Sequence, residues 1–434
     1  MQTPDLKNMQ VVVVGLGLTG KSCVKFLQEH GANVIGMDRN PVEMPVGVKT
    51  LSGDFSQEVL LNADLVVLSP GVNPNGSVFQ NVQKAGVEVI GDVELFARFN
   101  TTPVIAITGS NGKSTVTCLV NEMLNCAGMK AQMGGNIGTP VLDLLNTDAD
   151  YLVLELSSFQ LELLQSLTPV CATILNVSED HIDRHQTFLA YTDAKQRVYR
   201  NAEYTIANRD DVKTWPKNYV TKTSFGLSLS PVGISWDATT EMILVDGEGF
   251  ISAQQCALQG LHNILNIQAA IACVIPLGVE QPAITKAVSL FTGLAHRFEV
   301  VSEQHNVRWI NDSKATNIGA TIAALQSLKN RGASKLILIA GGDGKKADFT
   351  QLQPMLLDDV DLLITLGKDG REIASLKPGS IEVADLMEAV TFANGIVESG
   401  DIVLLSPACA SLDMFDNYQH RGDVFKQAVL EVAQ

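Results

Sequence analysis

The stretch that decides the fold of this 434-residue chain is VIAITGSNGKST, residues 104–115. Its apolar opening, residues 104–107, predicts a buried strand, and the apolar-rich stretch 116–127 that follows the glycine turn predicts a helix. Proteins bind nucleotide triphosphates with a strand, a glycine turn, Lys-Ser and a helix in this order. The reason is that backbone N–H groups and the helix N-terminus face the phosphates. The stretch therefore predicts an α/β domain that binds a nucleotide triphosphate.

Two side chains of this loop have predicted roles. Lys113 is expected to reach the terminal phosphates, and the Ser114 hydroxyl is expected to bind Mg²⁺. The usual pattern has another glycine five residues before Gly112, where this chain has Ile107, so the loop is the shorter variant Gly-x-x-Gly-Lys-Ser. The alternative is an ordinary glycine-rich turn with a surface lysine. The preceding strand and the Lys-Ser pair favour the nucleotide site.

Length and composition limit the class of protein. A chain of 434 residues predicts about three domains, and 46% hydrophobic with 18% charged residues is ordinary for globular proteins. We expect a cytoplasmic protein without signal peptide or membrane span, since no apolar run approaches the roughly 20 residues that a span needs. The seven cysteines contain no C-x-x-C pair and are expected to be reduced. A formal net charge of −16 disfavours nucleic-acid binding.

The N-terminal segment has a dinucleotide-binding pattern. A strand at 11–14 leads into G-x-G-x-x-G at 15–20 and a predicted helix at 21–30, and a second strand ends at Asp38, where such folds place a ribose-binding acid. Alone, this pattern indicates an NAD-dependent oxidoreductase. The Lys113 loop argues against that interpretation, because hydride transfer does not need a triphosphate. The same geometry can bind any nucleotide diphosphate. Further strands are predicted at 64–68, before a turn at 69–71, and at 87–90.

The middle of the chain places acidic groups after buried strands. The strand at 151–154 ends in Glu155, at the carboxyl end where a carboxylate near a triphosphate suits Mg²⁺; the alternative is a helix cap. The strand at 171–175 runs into an ionisable loop, 176–185, in which His181 is the functional candidate. Judged by the residues alone, Lys195 in the following helix is a solvated surface lysine.

Residues 201–260 predict an antiparallel accessory region, and an alanine-rich helix begins at 261 with two asparagines on its first turn. Strands at 307–310, 335–340, 362–366 and 402–405 then predict a parallel C-terminal sheet. The loops after these strands should line one crevice that suits a small anionic substrate. Lys345 lies in a glycine-rich turn that is expected to leave its ammonium group free.

Six motifs together resemble the Mur ligases of peptidoglycan synthesis, over essentially the whole chain. They are TGSNGKST at 108–115, GGNIG at 134–138, ELSSFQ at 155–160, HRFE at 296–299, NDSKATN at 311–317 and SPACASLD at 406–413. The last two are similar to those of the D-glutamate-adding members. The resemblance implies three α/β domains: a Rossmann-like UDP-substrate domain at 1–91, a P-loop-type ATP domain at 92–295 and a Rossmann-like amino-acid domain at 296–434.

The resemblance also implies the reaction, an ATP-dependent addition of D-glutamate to UDP-N-acetylmuramoyl-L-alanine through an acyl phosphate, which releases ADP and phosphate. It implies Lys113, His181 and a carbamylated Lys195 as catalytic residues. The implied Mg²⁺ ligands are Ser114, Glu155, His181 and Lys195. The implied ATP residues are Gly109, Asn111, Gly112, Lys113, Ser114, Thr115, Asn263, Asn266, Arg297 and Asp312. The implied UDP-substrate residues are Leu18, Thr19, Asp38, Arg39, Gly71 and Asn136. The implied D-glutamate residues are Lys314, Thr316, Lys345, Ser411, Leu412 and Tyr418.

Two other classes of function compete with the ligase. One is the NAD-dependent oxidoreductase, which absorbance at the nicotinamide band would support. The other is a non-catalytic, nucleotide-regulated binding protein, which saturable ATP binding without turnover would support. Release of phosphate that needs both a UDP-sugar and an amino acid would support the ligase. We expect a monomer whose partners are small molecules.

Overall fold

A computed structural model describes residues 4–45, 47–258, 260–329 and 335–432. These residues form three mainly parallel sheets with helices between the strands, so the predicted three-part α/β fold class is confirmed. They group into two compact units. The first contains the residues up to Val177 together with Thr192–Gln255 and Asn266–Ser289. The second contains Ser178–Tyr191, Cys256–Leu265 and the residues from Leu290 onward. The predicted domain boundaries stay predictions.

The N-terminal sheet has five parallel strands in the order β3-β2-β1-β4-β5. The strands are β1 (Gln10–Val14), β2 (Asn33–Asp38), β3 (Lys49–Ser52), β4 (Leu65–Leu68) and β5 (Glu88–Gly91). The helices are α1 (Leu18–Glu29), α2 (Gln57–Leu61), α3 (Ser77–Lys84) and α4 (Asp92–Phe99). The first helix begins three residues before its predicted start. The strand order reverses between β1 and β4, which opens a crevice at their carboxyl ends.

The central sheet has nine strands in the order β14-β13-β12-β11-β10-β9-β6-β8-β7. The strands are β6 (Val104–Thr108), β7 (Ala131–Gly135), β8 (Tyr151–Glu155), β9 (Cys171–Ile174), β10 (Tyr204–Asn208), β11 (Thr223–Phe225), β12 (Ile234–Asp237), β13 (Met242–Val245) and β14 (Glu248–Ser252). The helices along this part of the chain are α5 (Lys113–Cys126), α6 (Ser158–Leu161), α7 (Ile182–His185), α8 (Phe188–Gln196), α9 (Leu261–Val274) and α10 (Gln281–Leu290). The strand and helix predicted around the nucleotide loop are confirmed.

The prediction of an antiparallel accessory region at 201–260 is wrong for its first half. Strands β10, β11 and β12 continue the central sheet in parallel, and only β13 and β14 add antiparallel strands at its edge. The short apolar runs of this region do not reveal strand direction, because the crossovers between its parallel strands are turns and short helices rather than long amphipathic ones.

The C-terminal sheet has six strands in the order β15-β16-β20-β17-β18-β19. The strands are β15 (Glu299–Ser302), β16 (Arg308–Asn311), β17 (Leu336–Gly341), β18 (Leu362–Leu366), β19 (Ile381–Glu382) and β20 (Ile402–Leu405). The helices are α11 (Ile318–Leu328), α12 (Gln353–Asp358), α13 (Gly370–Ala374), α14 (Leu386–Asn394) and α15 (Tyr418–Val432). The predicted parallel sheet is confirmed for every pair except β15–β16, which is antiparallel.

Buried apolar side chains cover both faces of the C-terminal sheet. Its middle strands are therefore continuous apolar runs, as expected of parallel strands that are covered on two faces. All seven cysteines lie among the described residues, and no disulfide joins any two of them. Within the described ranges, no helix has both the length and the apolar character that crossing a membrane requires.

Candidate active site

The nucleotide loop joins β6 to α5 in the first unit. Gly112 adopts a left-handed conformation with φ of 83°, which a glycine tolerates without strain, and α5 begins at the next residue. A Cβ atom at Gly112 would collide with Oδ1 of Asn266. Asn266 therefore packs directly on the loop, which places one of the two predicted asparagines of α9 at the nucleotide site.

Two lysines converge on one carbonyl of this loop. Lys113 Nζ donates to the carbonyl oxygens of Gly109 at 3.0 Å and Ser110 at 2.9 Å. Lys195 Nζ donates to the same Gly109 oxygen at 2.8 Å, and the Lys195 side chain is only 1% exposed. The expectation of a solvated Lys195 is wrong, because α8 buries the face that also carries Ala194. Two lysine side chains thus contact the backbone of the predicted nucleotide loop.

Glu155 is held against the loop by two short hydrogen bonds. Ser114 Oγ donates to Glu155 Oε2 at 2.5 Å, and Asn136 Nδ2 donates to Oε1 at 2.6 Å. The register of the sheet brings Glu155 close to both partners, since Glu155 pairs with Ile107 of β6 and with Gly135 of β7. Hydroxyl and carboxylate oxygens are the donors that Mg²⁺ prefers, so this pair fits the predicted metal site. His181, the third predicted ligand, belongs to the second unit.

Asn176 is a loop residue for which the sequence analysis predicted no role. Its Nδ2 donates to Asn111 O at 3.0 Å, its Oδ1 accepts from Asn111 N at 2.8 Å, and its carbonyl accepts from Ser110 N at 2.9 Å. These three hydrogen bonds fix the backbone of the nucleotide loop. The available signal was its position two residues after the end of β9, at the edge where parallel strands present ligand-binding residues.

The predicted UDP-substrate residues of the N-terminal segment gather at the carboxyl ends of β1, β2 and β4. Asp38 accepts from Leu16 N at 2.7 Å and from Asn40 N at 3.0 Å. Desolvation opposes the charged form of Asp38, but these backbone hydrogen bonds outweigh it, and the pKa of Asp38 is lowered. Leu18, Arg39 and Gly71 are exposed at the same edge, and Thr19 is half-buried. The sixth residue, Asn136, follows β7 instead.

In the second unit, Lys345 forms an ion pair that the sequence did not predict. Its Nζ lies 3.0 Å from Asp180 Oδ1, while Asn317 Nδ2 donates to Asp180 Oδ2 at 3.3 Å. His181 Nε2 lies 3.6 Å from the same Oδ2. The expectation of a free Lys345 ammonium is therefore wrong, because the ionisable loop after β9 brings a carboxylate to it. A cavity of about 210 Å³ is lined by these four side chains and by Thr316.

The remaining predicted amino-acid residues lie after β16 and β20. Lys314 Nζ sits 4.0 Å from the centre of the Tyr418 ring, a cation–π contact, while Ser411 is buried and Leu412 is exposed. The buried Arg421, which the sequence analysis missed, donates to the carbonyl oxygens of Ser313 at 2.8 Å and Cys409 at 3.0 Å. Burial lowers its pKa to about 10. Arg421 thus ties the two loops together.

Asp312 directly follows β16 and is half-buried. It accepts from Ser406 Oγ at 2.9 Å and from Phe298 N at 3.2 Å. Burial raises the pKa of Asp312 to about 7, although these hydrogen bonds and the positive charge of Arg297 oppose the rise. Asn263 belongs to the same unit and is also buried. Of the predicted ATP residues, the second unit therefore holds Asn263, Arg297 and Asp312.

Comparison with known proteins adds independent information. Three family models match the chain: "Mur ligase MurD-like, N-terminal domain" at residues 9–91, "Mur ligase middle domain" at 107–274 and "Mur ligase, glutamate ligase domain" at 296–409. The chain is 44% identical to the UDP-N-acetylmuramoylalanine--D-glutamate ligase of Pseudoalteromonas translucida (strain TAC 125), with 98% of each chain covered. It is 45% identical to the protein of that name from Yersinia pseudotuberculosis serotype I (strain IP32953), with 99% of each covered.

Solved structures show the same fold at lower identity. A pseudomurein peptide ligase type C from Methanothermus fervidus matches with a TM-score of 0.62 at 18% identity, covering 98% of this chain and 100% of that one. The UDP-N-acetylmuramate-alanine ligase MurC from Thermotoga maritima matches with a TM-score of 0.62 at 19% identity and the same coverage. The family models and the full-length relatives together establish that this chain belongs to the Mur ligase family.

Proposed function

We propose that this chain is an ATP-dependent ligase that adds D-glutamate to UDP-N-acetylmuramoyl-L-alanine in peptidoglycan synthesis, releasing ADP and phosphate. The observation that carries the proposal is the nucleotide loop with its Ser114–Glu155 pair, in a chain 45% identical over nearly its full length to a relative named for this activity. The N-terminal glycine motif then serves the UDP moiety, and the NAD-dependent oxidoreductase is disfavoured.

The reaction proceeds by activation of a carboxylate, which is by itself a poor acylating agent. A carboxylate oxygen of the muramoyl substrate attacks the γ-phosphorus of ATP, and the bond from that phosphorus to the β-phosphate oxygen breaks. The product is an acyl phosphate and ADP. The amine of D-glutamate attacks the acyl carbon, loses a proton and expels phosphate. Lys113 supports the first step as a fixed cation beside the transferred phosphoryl group.

Mg²⁺ is the metal that the residues at the loop would hold. Ser114 and Glu155 are its proposed ligands in the first unit, together with His181 of the second unit and a modified Lys195. The described residues contain no cluster of three or more His, Cys, Asp or Glu side chains that could bind a metal alone, so phosphate and water oxygens must complete the shell. When bound, Mg²⁺ neutralises charge on the phosphates.

Lys195 is the proposed site of carbamylation. Its amine would add to CO₂, forming an N–C bond and releasing a proton, so that a cation becomes an anionic oxygen ligand. The support is its burial and its position 2.8 Å from the Gly109 carbonyl, within the nucleotide loop. A lysine cation beside Mg²⁺ would be repelled, whereas a carbamate oxygen is the kind of donor that Mg²⁺ prefers.

D-Glutamate is proposed to bind in the second unit. Its two carboxylates need several hydrogen-bond donors, and the crevice supplies them from separate loops. The proposed donors are Lys314, Thr316, Lys345 and Ser411, and Leu412 and Tyr418 lie beside them. The cavity next to Lys345 is about 210 Å³, large enough for a small amino acid. Because Lys345 is paired with Asp180, a substrate carboxylate must replace or share that partner.

The nucleotide contacts are proposed as follows. Gly109, Asn111, Gly112 and Thr115 bind the phosphates of ATP with Lys113, while Asn263, Asn266, Arg297 and Asp312 surround the rest of the nucleotide. Leu18, Thr19, Asp38, Arg39, Gly71 and Asn136 bind the UDP-substrate. We also propose that the protein acts in the cytoplasm as a monomer and has no nucleic-acid or membrane partners.

Phosphate release measured against a panel of amino acids tests this function. With ATP, Mg²⁺ and UDP-N-acetylmuramoyl-L-alanine present, D-glutamate should support release at least about tenfold faster than L-glutamate, glycine or L-alanine. Each substrate is then omitted in turn. Equal release without the UDP-substrate, or with every amino acid, would contradict the proposal and favour a simple nucleotide hydrolase.

A further inference from the structure

Asp92 is a buried carboxylate with no assigned role. It is the first residue of α4, directly after β5, and it is 2% exposed. Its Oδ2 accepts from Gln160 Nε2 at 3.2 Å, whereas Oδ1 has no hydrogen-bond partner among the described residues. Burial raises the pKa of Asp92 to about 6, against the opposing effect of the Gln160 hydrogen bond. An apolar side chain here would avoid this cost of burial.

Asp92 and the Ser157 N–H together determine which way the Gln160 amide faces. Gln160 Oε1 accepts from Ser157 N at 3.1 Å and from Ser157 Oγ at 3.2 Å, while Gln160 N donates to Ser157 Oγ at 3.2 Å. This reciprocal arrangement is a capping box that begins α6. A carboxylate only accepts, so Asp92 requires the NH₂ group on its own side and the oxygen on the side of Ser157.

The turn that Gln160 holds is continuous with the metal-binding carboxylate. Ser157 follows Glu155 by two residues, and Leu156 between them donates its N–H to Ile107 O at 2.8 Å. Thr108 Oγ1 donates to Leu156 O at 2.6 Å. Residues 155–157 are therefore fixed on one side by the strand that leads into the nucleotide loop and on the other by Asp92 through Gln160.

We propose that Asp92 is a positioning residue for the ligase reaction, which orients Gln160 and through it holds Glu155 against Ser114 of the nucleotide loop. The inference rests on the proposed function, because Glu155 matters as a metal ligand only if the enzyme uses ATP with Mg²⁺. Asp92 begins α4 at the carboxyl end of β5. The N-terminal sheet thereby contributes to metal binding in the central sheet without touching the metal.

The charged surroundings of Asp92 are few. The Cys23 thiol of α1 faces it, and the Asp143 carboxylate lies near that thiol. On α4 itself, Glu94 is engaged by Arg98 Nε at 3.0 Å and by the N–H of Ser166 at 2.9 Å. No cation among the described residues forms an ion pair with Asp92, so the hydrogen bond to Gln160 is the side-chain interaction to change in an experiment.

A charge swap isolates this hydrogen bond. Gln160→Glu places two carboxylates face to face, and we expect Mn²⁺ binding in the presence of a non-hydrolysable ATP analogue to weaken about tenfold or more. In the double variant Asp92→Asn/Gln160→Glu, the amide introduced at position 92 can donate to one oxygen of the carboxylate at position 160, while the other oxygen still accepts from Ser157. We expect this double variant to recover to within about threefold of wild type. Electron paramagnetic resonance measures the concentration of free Mn²⁺, from which the affinity of each variant for Mn²⁺ is obtained.

Two further variants serve as controls. Asp92→Asn alone keeps an acceptor for Gln160 and should bind Mn²⁺ within about threefold of wild type. Asp64→Asn removes a carboxylate that accepts from Gln10 N at 2.7 Å at the amino end of β4, and it should change nothing. The KM for D-glutamate should stay within about twofold throughout, because the D-glutamate residues belong to the second unit.

The outcomes separate the inference from the function. Wild-type Mn²⁺ affinity in Gln160→Glu, or a double variant that binds no better than Gln160→Glu, would overturn the role of Asp92. If Gln160→Glu does not fold, Asp92→Leu replaces it, with the same expected loss and the same overturning result. Absence of ligase activity in the wild-type protein would instead overturn the proposed function.

Discussion

The nucleotide loop and the proposed D-glutamate crevice hold their lysines in different ways. At the loop, Lys113 and Lys195 both donate to a backbone carbonyl, that of Gly109. In the crevice, Lys345 is paired with the Asp180 carboxylate, and Lys314 lies over the Tyr418 ring. The Gly109 carbonyl carries no net charge, whereas the Asp180 carboxylate carries a negative charge. The carboxylate already neutralises Lys345, so an incoming anion must compete for it.

This difference predicts different kinetic consequences. Changes at the loop should remove turnover, because Lys113 is proposed to act on charge that develops during phosphoryl transfer and Lys195 is proposed to hold the metal there. Changes in the crevice should chiefly alter the affinity for the amino acid, because its groups are proposed to contact carboxylates of D-glutamate that do not change charge in the reaction. Substitutions at each region test this contrast.

The largest effect is expected for Lys113→Ala. Loss of the fixed cation beside the phosphates should reduce kcat for phosphate release by about 100- to 1,000-fold, the range found for a lost transition-state donor. Lys130→Ala is the control, since Lys130 is exposed and its ammonium group pairs with the surface carboxylate of Asp148. Activity of Lys113→Ala within threefold of wild type would remove Lys113 from the mechanism.

Lys195→Ala should be nearly as severe, with a loss of about 100-fold, because an anionic ligand of the metal would disappear. Carbamylation makes a distinctive prediction for the Lys195→Ala variant. Short carboxylic acids such as acetate or propionate should restore part of its rate, because they can replace the missing carbamate. The intact mass of wild-type protein, measured in bicarbonate buffer, should include the carbamate. Full activity in the variant, or an active wild-type enzyme with only a bare amine, would contradict this account.

Lys345→Ala should weaken the binding of D-glutamate. A charge-assisted contact contributes roughly 1.5–3 kcal/mol, which corresponds to a rise of about 10- to 100-fold in the KM for D-glutamate. When D-glutamate binds to Lys345, it must displace Asp180 or share the lysine with it, so the net gain from the contact is reduced. We therefore expect the rise in KM to lie at the lower end of this range. The KM for ATP should change by less than twofold. Steady-state kinetics with each substrate varied decides the matter, and an equal loss of ATP affinity would place Lys345 with the nucleotide.

The smallest effect is expected in the stability of the fold, at Asp312, because burial raises the pKa of its carboxyl group to about 7. Between about pH 4 and pH 7 the folded chain binds a proton that the unfolded chain has released, so stability falls as pH rises across this window, by at most about 1.4 kcal/mol per unit. Asp312→Asn should flatten that slope. Urea denaturation at pH 5, 6, 7 and 8 measures it, and an unchanged slope would show that Asp312 titrates normally.

Much of the nucleotide site could be predicted because its determinants are adjacent in the sequence. Residues 104–115 contain the strand, the loop, the lysine and the serine, and the carboxyl end of a neighbouring parallel strand placed Glu155 correctly beside them. The resemblance to the Mur ligases then supplied the reaction class and the three-part fold, both of which the comparisons support.

The features that the sequence did not predict depend on contacts between distant segments. Lys195 looked like a surface residue because α8 has a weakly amphipathic sequence, and only packing shows that its lysine face is buried. The Lys345–Asp180 pair joins residues 165 positions apart. No sequence pattern marked Asp92 as an orienting residue, because its contact with Gln160 joins residues 68 positions apart and forms only in the folded chain.

The most direct test of the proposed ligase chemistry follows oxygen. UDP-N-acetylmuramoyl-L-alanine labelled with ¹⁸O in its carboxylate is incubated with ATP, Mg²⁺ and D-glutamate, and the released phosphate is analysed by mass spectrometry. Attack of the carboxylate on the γ-phosphorus predicts one ¹⁸O atom in each phosphate, and product formation only when D-glutamate is present. Unlabelled phosphate would mean that water attacks ATP, which would contradict carboxylate activation at this site.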